Sequence, residues 1–463
     1  MNLLLRKLSS DLSVSFAPEG IVDTTQNSVD GVWLRKMERD VSHNFYSLQA
    51  PSSLSSSSSS SSKMAALPRA LPHQLPKATK TARAVLLRMP ESLNTLKQLC
   101  QRKVEQCDYV RAKSVQSNIP IYDLSTTSTS DTEAVNDLQD EWHHALSSGP
   151  GVVVLKNFLT DHAAIKQSNT AFERIIEKEA QSAKGDHFAA AGSNSRIWNS
   201  FQKHAEVDPT SFVRYYSNPW LARVSEAWLG PCYQVTAQLN IVRPGGKPQS
   251  AHRDYHLGFQ TADACARFPR TMQLASQYLT LQGGIAHSDV PLESGPTRLL
   301  PFSQLLPEGY MAWRLPEFTQ YFNENWVSLA LEVGDAVFFN PALLHAAGEN
   351  NTKTVDRSVN LLQISSAFGR PMESVNGPKM VRSCWDALKD FAAREGSGEG
   401  TKACINALGE GYPFPSNLDQ RPPGPDGITP TSEIDILWEG IRESWGTERI
   451  VKELEKVQID SGS

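Results

Sequence analysis

The chain has 463 residues, of which 40% are hydrophobic, and a formal net charge of -5. That length can hold one large domain or two ordinary ones, and the composition is typical of a globular protein. The chain has no excess of basic residues that would indicate nucleic-acid binding. It also has no run of about 18 apolar residues that would indicate a membrane span. The six cysteines are scattered without a Cys-x-x-Cys pair, which favours free thiols in a reducing compartment over a zinc site or disulfides.

The first 90 residues differ in composition from the rest of the chain. Residues 55–62 are eight consecutive serines, with nothing to bury, so we predict a disordered leader over residues 1–90. Residues 1–7 place charge behind a short apolar run, unlike a secretory signal, so we expect an intracellular and most simply cytoplasmic protein. Residues 64–89 are basic and free of acids. This segment is compatible with organelle import if translation starts at Met64, although a basic linker is the simpler interpretation.

Helical patterns predominate over residues 91–231, which we predict to be the helical part of one domain, residues 91–371. Ser130 or Asp131 can cap a helix that ends near Ser147. The apolar run 152–155 is typical of a short buried strand.

A β-rich core is predicted over residues 232–371. The segment 233–242 alternates, so Gln238 and Asn240 share one face, where buried amides need partners. Further short strands bounded by Gly/Pro turns favour an all-β sandwich or barrel; they are predicted near 278–286, 331–339 and 357–366. With the preceding helices, the fold class is α+β. Residues 372–463 are predicted to form a C-terminal helical extension, with helices near 379–394 and 432–457.

The most informative stretch is His252-Arg253-Asp254. In an extended segment side chains two apart point the same way, so His252 and Asp254 share a side and Arg253 faces the other. A second histidine, His345, ends the apolar stretch 337–344. Two histidines and one carboxylate on one face form the triad that suits non-heme Fe(II), with three coordination positions left open.

A His-x-Asp pair alone is weak evidence, because composition predicts about half of one by chance. The chain has a second pair, His287 and Asp289, which competes for the metal. We favour His252 and Asp254 because they follow a Gly-rich turn from a strand with a polar inner face.

Arg357 lies 12 residues after His345, at the start of the next predicted strand. A guanidinium can hold a carboxylate through two parallel hydrogen bonds. A dicarboxylate that chelates iron at one end needs such a group at the other.

Three ordered motifs, HRDYHLGF, ESGPTRLLP and GDAVFFNPALLHAAGEN followed by Arg357, resemble the phytanoyl-CoA dioxygenase family of Fe(II)/2-oxoglutarate oxygenases. The resemblance covers about residues 119–371. It implies a double-stranded β-helix, a cupin-like jelly roll, with flanking helices. It further implies that His252, Asp254 and His345 bind Fe(II), that Arg357 holds the distal carboxylate of 2-oxoglutarate, and that O2 is consumed.

The resemblance implies hydroxylation of a C–H bond of a small organic substrate, with release of succinate and CO2. Related halogenases have Ala or Gly at the position of Asp254, so its carboxylate favours hydroxylation over chlorination. A tryptophan that helps hold the co-substrate in the best-studied family member falls near Gly283 and Gly284. We therefore predict that Gln238, Asn240 or Gln282 contributes to co-substrate binding instead.

Two alternatives stay open at this point. One is a non-catalytic jelly-roll domain that binds a metal or senses a ligand, and the other is a zinc or manganese isomerase that does not use 2-oxoglutarate. The substrate is equally open among lipid acyl chains, secondary metabolites, amino acids and proteins. Aromatic candidates for its pocket are Tyr255, His256, Phe259, Trp313 and Tyr321.

Overall fold

A computed structural model describes residues 87–180 and 194–462. Almost all of the predicted leader, including the serine tract and Met64, lies outside the described residues. Within the described ranges, no helix is both long and apolar enough to cross a membrane.

Helices precede, interrupt and follow the strands. They are α1 (Glu91–Cys100), α2 (Thr132–Ser147), α3 (His162–Ala180), α4 (Ser200–Val207), α5 (Pro209–Tyr216), α6 (Pro219–Leu229), α7 (Ala262–Ala266), α8 (Arg270–Ser276), α9 (Gly309–Ala312), α10 (Pro316–Asn325), α11 (Gly377–Glu395), α12 (Glu399–Leu408), α13 (Glu433–Arg442) and α14 (Thr447–Ser461). The predicted cap of α2 is confirmed, because the Asp131 side chain accepts a hydrogen bond from the Ala134 amide.

Most strands belong to one eight-stranded sheet in the order β1-β2-β3-β8-β6-β10-β5-β4, while β7 and β9 form a two-stranded sheet. Every pair is antiparallel except β2 and β3. The strands are β1 (Ser114–Gln116), β2 (Ile119–Asp123), β3 (Val152–Lys156), β4 (Asn194–Ile197), β5 (Gln234–Val242), β6 (Thr280–Ala286), β7 (Arg298–Leu299), β8 (Ala336–Phe339), β9 (His345–Ala346) and β10 (Arg357–Ser365). The structure is thus mixed α/β with a large, mostly antiparallel sheet; closure into a jelly roll stays a prediction.

The two faces of the large sheet have different surroundings, as strand alternation requires. On β10, Leu362 and Ile364 join the main hydrophobic core with the helices. Arg357, Leu361 and Gln363 point to the other face, which lines a cavity of about 580 Å³. Side chains of β7 and β9 also line this cavity, so both sheets contribute to its walls.

The C-terminal region differs in one detail from the predicted pattern. The helix expected over 432–457 is two helices, α13 and α14, because Ser444 adopts a left-handed conformation at φ 53°. The following Trp445 accepts a hydrogen bond at its carbonyl oxygen from Trp385 Nε1, at 2.9 Å. This hydrogen bond joins α11 to the break between α13 and α14. After the break, α14 packs against the main core.

Glu433, at the start of α13, gives the protein a predicted pH dependence. Burial raises its pKa to about 7, so the folded state binds more protons than the unfolded state between about pH 4.3 and 7. Stability therefore decreases as pH rises through this window. We expect Glu433→Gln, which keeps an acceptor for the Glu410 amide, to be more stable than wild type by about 2 kcal/mol at pH 8 and nearly equal near pH 4.5. Urea unfolding at both pH values measures this, with Glu439→Gln, an exposed position of the same helix, as the control; an equal gain at both pH values contradicts it.

Candidate active site

His252, Asp254 and His345 converge at one point of the cavity wall. Each offers a ligand atom, and the three atoms lie within 4.8 Å of one another. His252 Nε2 and His345 Nε2 are 3.8 and 3.6 Å from Asp254 Oδ2. No other three potential ligands converge in this way in the part of the chain that the structure describes.

Backbone pairing produces this convergence. His252 lies in an isolated antiparallel bridge with His345 of β9, and their amides and carbonyls exchange hydrogen bonds of 3.0 and 3.1 Å. The Asp254 amide donates to the carbonyl of Pro341 at 2.9 Å. The segment therefore runs beside the strand that carries the second histidine, although it forms no regular strand.

The tautomers of both imidazoles are set by the backbone. His252 Nδ1 lies 2.8 Å from the carbonyl oxygen of Ser250, and His345 Nδ1 lies 2.9 Å from that of Leu343. A carbonyl only accepts, so each Nδ1 carries the proton and each Nε2 presents a lone pair towards Asp254. This is the arrangement in which histidines bind metal ions.

The charges also fit a divalent metal. Burial alone raises the pKa of Asp254, but the positive charge of His252 and His345 in their protonated forms and a hydrogen bond from Gln282 outweigh it and hold the pKa below the usual range. Burial, and then the neighbouring His345, lower the pKa of His252. At neutral pH the site presents a carboxylate and a neutral imidazole, the forms that metals require.

Arg357 is buried at the start of β10 and lines the same cavity. Its Nη1 donates to the carbonyls of Ser294, at 3.0 Å, and Gly348, at 3.4 Å, and it forms no ion pair with any described carboxylate. Burial lowers its pKa to about 10, so it stays cationic at neutral pH. A buried cation with only backbone partners is suited to an anionic ligand.

A close backbone approach explains the glycine of the ESGP motif. Gly295 adopts φ +72°, and a Cβ there would lie 2.2 Å from the carbonyl oxygen of Glu349. Only glycine permits this contact. It brings the Ser294 and Gly348 carbonyls together around Arg357.

Similarity to known proteins agrees with this geometry. The phytanoyl-CoA dioxygenase (PhyH) family model matches residues 148–359, a range that includes all three candidate ligands and Arg357. This part of the chain is therefore similar to the phytanoyl-CoA dioxygenase family.

Relatives of this domain include dioxygenases of different organisms. Dioxygenase trt7 of Aspergillus terreus is 24% identical over 237 residues, covering 50% of this chain and 75% of trt7. Human peroxisomal phytanoyl-CoA dioxygenase is 25% identical over 236 residues, covering 45% of this chain and 63% of the human protein, less than two thirds of its length. The family and these relatives support a dioxygenase.

Solved structures of iron- and 2-oxoglutarate-dependent enzymes are also similar. The carbocyclase SnoK of nogalamycin biosynthesis is 19% identical, with a TM-score of 0.37, over 52% of this chain and 85% of SnoK. The epimerase SnoN, in complex with Fe3+, alpha-ketoglutarate and nogalamycin RO, is 17% identical, with a TM-score of 0.36, over 51% of this chain and 85% of SnoN. Iron and 2-oxoglutarate are the cofactor and co-substrate of the phytanoyl-CoA dioxygenase family, and the donor set described above fits them.

The cavity is lined by all three residues predicted to assist co-substrate binding, Gln238, Asn240 and Gln282. Their side-chain contacts differ. Gln282 Nε2 donates to Asp254 Oδ2 at 2.8 Å, so it supports a candidate ligand. Gln238 Nε2 contacts Met372 Sδ at 3.4 Å. Co-substrate binding by Gln238, Asn240 or Gln282 stays a prediction.

A side chain at Gly283 or Gly284 would require a neighbouring side chain to move, since a Cβ at Gly283 would lie 2.4 Å from Phe338 Cδ1. A Cβ at Gly284 would lie 2.8 Å from Val359 Cγ1. Of the aromatic residues predicted for a substrate pocket, Phe259 and Trp313 line the cavity. Tyr321 packs against a hydrophobic cluster beside α1 and α10 instead.

The competing pair, His287 and Asp289, lies in a structural network. His287 is buried between Tyr215 OH, 2.8 Å from its Nε2, and Asn169 Oδ1, 2.7 Å from its Nδ1. Burial lowers the pKa of His287 to about 3. Asp289 is exposed and accepts a hydrogen bond from the Val333 amide at 3.1 Å.

We expect His287→Ala to destabilise the protein without affecting iron binding. The change leaves the Tyr215 and Asn169 side chains without their shared partner and opens a void, a cost of about 2–4 kcal/mol. Chemical denaturation and Fe(II) titration measure the two effects separately. Loss of iron affinity with unchanged stability would show that His287 belongs to the metal site.

Two buried residues that sequence reasoning did not select also adjoin the site. Arg253 turns away from the ligands, as strand alternation predicted, and its Nη2 donates to the carbonyls of Ser303 and Leu306. Gln363 lies six residues after Arg357 on β10 and lines the cavity. Because six is an even number, Gln363 and Arg357 point to the same face of β10. Strand alternation could therefore have identified Gln363 from the sequence.

Proposed function

We propose that this chain is an Fe(II)/2-oxoglutarate-dependent dioxygenase that hydroxylates a C–H bond of a small organic substrate, with release of succinate and CO2. The observation that carries the proposal is the convergence of His252, Asp254 and His345 on the cavity that Arg357 also lines. His252, Asp254 and His345 would hold the iron. When bound, iron with 2-oxoglutarate supplies the oxidative decarboxylation that activates O2 for attack on a C–H bond.

The chain's own groups bind and orient the reactants. Arg357 holds the distal carboxylate of 2-oxoglutarate by charge and by the planar arrangement of its N–H donors. Gln282 fixes the rotation of the Asp254 carboxylate through its 2.8 Å hydrogen bond. The apolar side chains of Val337, Phe339 and Leu361 line the cavity and limit the water that reaches the reacting groups.

Two features support hydroxylation over the alternatives. Asp254 supplies a carboxylate at the position that halogenases leave vacant. The buried cation of Arg357, with no described acidic partner, favours a 2-oxoglutarate enzyme over a metal-binding sensor domain or an isomerase without that co-substrate.

The test is a substrate screen on the full-length protein. Fe(II) and 2-oxoglutarate are loaded without oxygen, the visible absorption of their complex is recorded, and candidate compounds are assayed for stimulated succinate release in air. Formation of the complex and release of one succinate for each hydroxylated product support the proposal. Failure to form the complex contradicts it, and a chlorinated product in the presence of chloride would support a halogenase.

A further inference from the structure

Ser303 lies in a buried turn shortly after β7 and is fully enclosed. Its side-chain oxygen accepts a hydrogen bond from the Leu344 amide at 2.8 Å. Its carbonyl oxygen accepts another from Arg253 Nη2. Leu344 directly precedes one candidate metal ligand, and Arg253 lies between the other two. One residue therefore contacts both chain segments that carry the candidate ligands.

The turn that contains Ser303 is itself fixed to the sheet. The Phe302 amide donates to the carbonyl of Pro150 at 3.0 Å. The Gln304 side-chain amide donates to the carbonyl of Gly149 at 2.9 Å. Both acceptors belong to the Gly-Pro-Gly segment that leads into β3. Because both of its neighbours are held in this way, Ser303 is a fixed point for the segments that it contacts.

The guanidinium of Arg253 is enclosed where it meets this turn. Arg253 is 2% exposed, and its Nη2 also donates to the carbonyl of Leu306 at 3.3 Å. Its Cζ lies 5.4 Å from the centroid of the Tyr310 ring. A Cβ at Gly309 would lie 1.8 Å from the same carbon, so the guanidinium packs directly against the backbone there. An enclosed, hydrogen-bonded side chain restricts the backbone that carries it, which here joins two candidate ligands.

The pairing of the two ligand segments needs such support. His252 and His345 form an isolated bridge and not part of a continuous ladder. Groups that bind a metal must be held within about 0.5 Å of the productive geometry by packing and by surrounding hydrogen bonds. Ser303 supplies hydrogen bonds on both sides of the bridge, through its hydroxyl on one side and its carbonyl on the other.

We propose that Ser303 is a positioning residue of the metal site, which fixes the spacing of the three candidate ligands by holding Leu344 and Arg253. Ser303 does not line the cavity, so it acts through the ligand segments and not on the reactants. The inference rests on the proposed function, in which these ligands hold iron; the hydrogen bonds of Ser303 do not depend on it.

The test measures the Fe(II) affinity of the full-length protein by anaerobic titration without 2-oxoglutarate. Ser303→Ala removes the acceptor of the Leu344 amide and keeps the carbonyl that Arg253 contacts. We expect Fe(II) to bind about 10-fold more weakly, at the lower end of the effect of groups that hydrogen-bond a metal ligand directly. Arg253→Met, which removes the donors on the other segment, should also weaken binding. Arg253→Lys, which keeps a cationic donor, should restore part of the loss.

Ser366→Ala is the matched control. Ser366 is 4% exposed, and its side-chain oxygen accepts a hydrogen bond from the Phe368 amide at 3.2 Å. The change therefore removes the same kind of buried hydrogen bond, at a residue that does not line the cavity. It should leave Fe(II) affinity unchanged. Thermal unfolding of the metal-free variants compares their stabilities, and weaker Fe(II) binding at equal stability is an effect that a merely structural serine does not produce.

The outcomes separate the positioning role from the proposed function. Wild type that binds Fe(II) no more tightly than Asp254→Ala contradicts the proposed function, and the positioning role with it. Equal affinity of wild type and Ser303→Ala leaves the metal site in force and overturns the positioning role. An equal loss in Ser366→Ala and Ser303→Ala overturns it as well. If Ser303→Ala does not fold, the two Arg253 variants decide, and wild-type affinity in both overturns the role.

Discussion

Asp254→Ala is expected to abolish 2-oxoglutarate turnover and to lower Fe(II) affinity by more than about 100-fold. The change removes the one carboxylate between two imidazole nitrogens that lie 3.8 and 3.6 Å from it. Substitution of a residue that only hydrogen-bonds to a metal ligand lowers metal affinity by about 10- to 100-fold. Loss of the metal ligand itself should lower it further. Fe(II) titration and succinate release measure the two effects.

The second His-x-Asp pair supplies the matched control. Asp289→Ala removes the same group from the same sequence context, but Asp289 is exposed and its carboxylate accepts a hydrogen bond from the Val333 amide. Its substitution should leave iron affinity within about twofold and cost about 1 kcal/mol of stability. If Asp289→Ala and Asp254→Ala lose iron to the same extent, the assignment of the metal site is wrong.

Arg357→Ala is expected to raise the KM for 2-oxoglutarate by about 100- to 1,000-fold while metal binding stays nearly intact. Removal of one partner of a buried charge pair costs about 3–4 kcal/mol, which corresponds to this range. In the described structure the Arg357 guanidinium has only backbone carbonyls as partners, which is why we propose that it meets the distal carboxylate. Succinate release by the iron-loaded protein, measured against 2-oxoglutarate concentration, gives the shift in KM.

Two further variants distinguish geometry from charge. Arg370→Ala removes an exposed cation that does not line the cavity and should change neither KM nor iron affinity. Arg357→Lys keeps the charge but loses the planar pair of donors, so it should restore only part of the affinity. Equal affinity for 2-oxoglutarate in wild type and Arg357→Ala would refute the role of Arg357.

Much of the candidate site could be predicted from the sequence, because the main signal, the His-x-Asp pattern, is local. His252 and Asp254 are two residues apart, and extended backbone places such side chains on one side whatever the rest of the fold does. His345 was selected because it ends an apolar stretch and Arg357 because it begins the next predicted strand, and the resemblance implied the same two residues. The cap at Asp131 and most of the long strands followed from similar short-range patterns.

Long-range packing decided what these patterns could not. His252 and His287 begin identical His-x-Asp patterns, yet one imidazole meets Asp254 and the other is enclosed by Tyr215 and Asn169. The break between α13 and α14 likewise depends on Trp445, whose carbonyl accepts a hydrogen bond from a tryptophan 60 residues away.

By itself, the sequence predicted the candidate ligands, the candidate anchor Arg357 and a β-rich core flanked by helices, because side-chain alternation and motif order are properties of the chain. Only the tertiary structure decided which His-x-Asp pair faces the cavity and which buried residues hold the ligand segments. Those outcomes depend on strand register, which pairs His252 with His345. Register is set by the burial of whole faces and by turn geometry, so no single segment contains it.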